Sequence, residues 1–110
     1  MIIQWVGNKA TMASEKHFNG QFNEQQMSAI VKIVLKNATH KGMSDRSNAG
    51  HPPSTIIWGA INGTSYAVVM DSNDIKQGRI TVISFYDINE KTKEHKAKRF
   101  GMKGLRDVRT

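Results

Sequence analysis

The feature that most constrains this chain is Asn62-Gly63, set between two β-rich apolar runs. Ile56-Ile57-Trp58-Gly59-Ala60-Ile61 leads into it and Tyr66-Ala67-Val68-Val69-Met70 leads out. A two-residue type I′ loop needs φ > 0 at both central positions, and Asn and Gly accept that conformation most readily. The pair therefore predicts an antiparallel hairpin. After a polar loop, Arg79-Ile80-Thr81-Val82-Ile83-Ser84-Phe85-Tyr86 supplies a third strand, which makes residues 55–86 a three-stranded meander.

A helix is the natural cover for such a sheet, and the best-signalled one precedes it. Asn23 suits an N-cap, Gln26 completes a capping box, and Phe22 with Met27 fits a hydrophobic staple. Met27, Ile30, Val31, Val34 and Leu35 recur at i, i+3, i+4, i+7 and i+8, the spacing of one buried stripe. Asn37 is a suitable stop. Residues 2–6 have strand composition and are expected at an edge of the meander, and residues 10–17 are expected to form a short helix. Residues 38–54 read as a long polar connection, in which Pro52-Pro53 holds His51 extended at the entrance to the meander. The predicted fold is α+β: N-terminal helices packed on a three- to four-stranded antiparallel sheet. Residues 1–90 form the domain, and residues 91–110 form a basic segment or tail.

The charge supports that division. The net charge of +7 is almost all in the last 20 residues. Residues 1–90 hold eight Lys/Arg against seven Asp/Glu, whereas residues 91–110 hold eight against two. Lys91, Lys93, Lys96, Lys98, Arg99, Lys103 and Arg106, with Lys16 nearer the N-terminus, are the candidate contacts to phosphate. Such a block binds polyanions by counterion release, without reading sequence. The competing reading is a solvated tail that aids solubility. There is no cysteine, so no disulfide or thiolate metal site is available. The apolar start is too short for a signal or a membrane span, which predicts a soluble, cytoplasmic protein without membrane attachment.

Several familiar chemistries have no signature here. The one Gly-x-x-Gly, at residues 101–104, is not placed to cradle a phosphate, and no His pair has zincin spacing. There is no Gly-x-Ser-x-Gly elbow and no acidic cluster for two metals; neither a metal nor a cofactor is expected. His, Arg and hydroxyl groups beside a basic surface remain. They suit RNA cleavage by attack of its own 2′-hydroxyl, which needs a general base, a general acid and cations for the transition state. His17, in the charged run Glu15-Lys16-His17, is the first candidate and is expected to be at least partly exposed. Arg79 is a candidate phosphate ligand. Ser84 and Tyr86 share a strand face as candidate site hydroxyls, and His51 is a second imidazole. His40, His95 and Thr81 are weaker candidates, and Trp58 reads as core rather than a base-stacking platform.

The order of these parts carries a resemblance. A Lys-His near the N-terminus and an amphipathic helix come first. Ile-Ile-Trp-Gly-x-Ile-x-Gly-x-x-Tyr-x-Val-Val and Ile-x-Val-Ile-Ser-x-Tyr follow. Over roughly residues 14–88 this resembles the barnase–EndoU–colicin–RelE group of small metal-independent ribonucleases, especially its toxin and phage-encoded members. The resemblance implies a helix-on-antiparallel-sheet fold and cleavage of RNA, often transfer RNA, to a cyclic phosphate. It places His17 in the group's N-terminal His-bearing segment, and Ser84 and Tyr86 on its hydroxyl-bearing last strand. It also implies an inhibitor or immunity partner.

Two other readings stay open. One is a non-enzymatic basic module, of a phage type, that grips nucleic acid or a host nucleoprotein complex. The other is an oligomeric structural protein whose half-apolar meander pairs with another chain.

Overall fold

Asn62 and Gly63 take φ of 50° and 82°, both in the left-handed region. They join β3 (Ser54–Ile61) to β4 (Thr64–Asp71) with Ile61 directly opposite Thr64. The expected I′-type hairpin is therefore the centre of the fold. The computed structural model describes residues 2–44, 53–88 and 102–107. The remaining elements in chain order are β1 (Ile3–Trp5), α1 (Lys9–Phe18), α2 (Glu24–Lys36), β2 (Ala38–Ser44), α3 (Ser72–Lys76), β5 (Ile80–Ile88) and β6 (Met102–Asp107).

The protein is α+β, but its sheet is larger than the sequence suggests and it is mixed. Six strands lie in the order β1-β5-β4-β3-β2-β6. The meander β3-β4-β5 is antiparallel throughout, and β2 adds to β3 antiparallel. β1 does take an edge, yet it runs parallel to β5, with Ile3 opposite Ile80 and Trp5 opposite Val82. The expected three- to four-stranded antiparallel sheet is corrected on both counts. The long connection over residues 38–54 is corrected too, since its first seven residues are β2. Ala-Thr-His-Lys-Gly-Met-Ser shows no apolar alternation because this strand is held chiefly by its backbone ladder, near the sheet margin. The polar loop after β4 contains α3, where Asp71 Oδ1 accepts from the amides of Asn73 at 2.8 Å and Asp74 at 3.1 Å.

α2 forms as its sequence predicts. Asn23 Oδ1 accepts from the Gln26 amide at 2.8 Å, and the Asn23 amide donates to Gln26 Oε1 at 3.0 Å. Met27, Val31 and Val34 are fully buried, with Ile30, Leu35 and Phe22 packed around them. The helix stands directly on β3 at Gly59, where a Cβ would lie 2.2 Å from the Val34 carbonyl oxygen. Trp5 Nε1 donates to Ser28 Oγ at 2.9 Å and ties β1 to the same helix.

Both faces of the sheet are apolar at the centre. The helix face holds Tyr66, Val68, Met70, Val82 and Phe85 beneath α1 and α2. The other face holds Ile56, Trp58, Ala67 and Ile88, with Val69 and Tyr86 against them. Trp58 is 2% exposed, so it is core as expected. An irregularity in β5 decides which residues go to which face. Ser84 pairs with Val69 but Val82 pairs with Met70, so Ile83 is an extra residue in the ladder. Val82 and Phe85 therefore share the helix face although three residues separate them.

Candidate functional site

α1 ends in a left-handed Asn19 (φ 53°), and the Gly20 amide donates to the Ser14 carbonyl at 2.9 Å. This stop places His17 in the last turn, over the C-terminal part of β5. The His17 side chain is 7% exposed, with Nδ1 3.7 Å from Asp87 Oδ1. Its ring meets Phe85 edge-on at 6.2 Å. Phe18 and Phe85 both pack on Tyr66, at 5.7 and 5.2 Å between ring centroids. His17 as a whole is partly exposed, as its sequence neighbours suggest, but its imidazole is turned inward and largely covered. Lys16 and Glu15, its neighbours, are the exposed ones.

Tyr66 lies opposite Asp87 in the ladder. Burial, and then the Asp87 charge, push its hydroxyl above the ordinary value of 10.0, against an opposing hydrogen bond with Thr64. His17, Asp87 and Tyr66 thus form a proton-bearing group on the helix face at one end of the sheet. Sequence reasoning missed Asp87 and Tyr66. Their pairing joins strands through a ladder that no local signal reports.

Ser84 and Tyr86 do share a face, but it is the other one. Tyr86 packs on the Ile56, Trp58, Ala67 and Ile88 cluster, and burial pushes its hydroxyl up. The alternation of β5 sends Phe85 and Asp87 toward α1, and Ser84 and Tyr86 away from it. The sheet therefore stands between His17 and the two hydroxyls. His40 is also on this second face, opposite Trp58 with ring centroids 5.4 Å apart, and its Nδ1 is 3.0 Å from Thr39 Oγ1. Trp58 Nε1 is buried with no hydrogen-bond partner among the described residues.

Arg79 precedes β5, about 25 Å along the strand from Asp87 at the usual rise per residue. Its Nη2 donates to Gln77 Oε1 at 2.6 Å and to Asp74 Oδ1 at 3.3 Å. Asp74 also accepts from Thr81 Oγ1 at 2.6 Å. That hydrogen bond first, and Arg79 next, hold the Asp74 carboxyl below its ordinary 3.8. Arg79 and Thr81 thus belong to one partly exposed turn network.

Of the basic candidates, Lys16 is exposed on α1. Lys103 and Arg106 lie on β6, in register with Met43 and Lys41 of β2. His51, His95, Lys91, Lys93, Lys96, Lys98 and Arg99 lie outside the described residues. Among the described residues, no group of three or more His, Asp or Glu side chains is assembled to hold a metal ion. Among them also, no helix is long and apolar enough to cross a membrane. Comparison with protein-family models, curated proteins and solved structures returns no match to this chain.

Proposed function

We propose that this chain is a non-enzymatic basic module that binds nucleic acid through its phosphates. The observation that carries the reading is the concentration of charge: eight Lys/Arg against two Asp/Glu in residues 91–110. Part of that segment, Met102–Asp107, forms a strand at the edge of the sheet, beside β2. Fixed cations near a phosphodiester chain release counterions on binding, and the affinity then falls steeply with salt.

The endoribonuclease reading uses the same inventory but asks for His17, Arg79, Ser84 and Tyr86 around one phosphate. Its support is weaker. His17 is largely covered, the hydroxyls are across the sheet from it, and Arg79 is engaged with Asp74 and Gln77. Incubation with total RNA in EDTA, read on native and denaturing gels across a salt series, tests the proposal. Intact RNA with a salt-sensitive shift is expected. Discrete fragments that disappear in His17→Ala would replace this reading with the ribonuclease.

A further inference from the structure

The second face of the sheet is buried, yet no described helix lies over it. Ile56, Trp58 and Ile88 are at most 3% exposed, and Ala67 is fully buried beside them. Among the described residues, the helices pack elsewhere: Ala10 and Ala13 of α1, Val31 and Val34 of α2, and Ile75 of α3 belong to the opposite cluster.

Strand connectivity supplies the cover. β5 ends at Ile88 and β6 begins at Met102, with the thirteen residues 89–101 between them. Four successive antiparallel pairings make β5 and β6 parallel, with β4, β3 and β2 between them. The connection must therefore cross three strands and return to the other end of the sheet. Ile88 is level with Ser65, whereas Met102 is level with Asp71 through Ser44 and Ser54. The straight span is about 28 Å, from four strand spacings and six residues of rise. Residues 89–101 reach about 45–50 Å when extended, enough to cross a sheet face directly. A path outside α1 and α2 adds about 30 Å and exceeds that reach.

Chirality selects the same face. Val82 faces the helices, and its carbonyl accepts from the Val6 amide at 3.1 Å, so its backbone groups point to the β1 side. For an L residue this sets β1 to the right of β5 and β6 to the left, viewed from the helices with β5 running upward. A crossover between parallel strands is right-handed in almost all folds, and a leftward one is right-handed only if it passes behind the sheet.

We infer that residues 89–101 cross the second face of the sheet and cover Ile56, Trp58 and Ile88. The face is then closed to a second copy of the chain. The basic run from Lys91 to Arg99 is held between β5 and β6 rather than trailing from the domain. The inference stands on burial and topology and does not depend on the binding reading.

Methyl NMR of the full chain with a single spin label tests it. The sequence has no cysteine, so Ala97→Cys gives one attachment point. The methyl signals of Ile56 and Ile88 should lose most of their intensity to the label, and those of Met27 and Val31, in the helix layer, should keep theirs. Thr92→Cys should give the same pattern, and serves if Ala97→Cys does not fold. Loss at Met27 and Val31 instead, or little loss anywhere, would overturn the crossing. Loss at Ile56 and Ile88 from a label at Asn48→Cys, but from neither Ala97→Cys nor Thr92→Cys, would assign the cover to residues 45–52 and overturn it too. Loss that appears only when label and isotope are on different molecules would make the cover a second copy, with the same consequence.

Discussion

At the scale of single residues, Gly59 is the most demanding position. Its φ is not positive, so the requirement is space: the carbonyl of Val34 occupies the volume that a side chain would need. Gly59→Ala should therefore destabilise the fold by about 3 kcal/mol, read as a lower urea midpoint, because helix and strand backbones must separate. The two tyrosines make a second residue-level prediction. Tyr66 and Tyr86 are the only tyrosines, and both hydroxyls are held above 10.0, Tyr66 by burial and Asp87, and Tyr86 by burial. A folded pKa above the unfolded one means that stability is complete below pH 10 and is lost as the pH rises through the folded values. Absorbance titration should show less than half of the phenolate at pH 10 while the chain is folded. Asp74 works in the opposite direction. Its folded carboxyl titrates below 3.8, so its contribution is present above that pH and lost as the pH falls through the folded value. Asp74→Asn should flatten the acid limb of the stability–pH curve.

Among elements, α2 and the β3–β4 hairpin were legible because their signals are local. The capping box and the Asn-Gly pair both act within four residues, and both appear with the expected geometry. Asn23→Ala should cost about 1 kcal/mol through loss of the cap. Gly63→Ala, at φ 82°, should cost about 1–2 kcal/mol. Other elements were hidden for physical reasons. β2 lacks an apolar pattern because Lys41 and Met43 lie outside the helix cover. β1 finds its partner in β5, more than 70 residues away, and no turn or spacing can report a parallel pairing of that kind. The extra residue Ile83 changes which side chains share a face. A simple alternation puts Val82 with Ser84 and Tyr86, whereas the structure puts it with Phe85 beneath α1. The candidate site was correspondingly less legible than the fold. The identities of the His, Arg and hydroxyl groups were visible, but which face each one occupies depends on that irregularity and on the inward turn of His17.

At the scale of the molecule, two regions are distinct. One side of the sheet carries α1, α2 and the His17, Asp87 and Tyr66 group, where imidazole and phenol are built into an aromatic core. The other region is the basic C-terminal segment, of which Met102–Asp107 is a strand at the sheet edge beside β2. The proposal of nucleic-acid binding rests on the charge of the second region and asks no chemistry of the first. The most direct test is a salt titration of single-stranded RNA binding in EDTA, with the same samples run on a denaturing gel. The expected result is affinity that falls steeply and log-linearly with salt and RNA that stays whole, for the unsubstituted chain and for His17→Ala alike. Cleavage by the unsubstituted chain that His17→Ala abolishes, or affinity indifferent to salt, would contradict it.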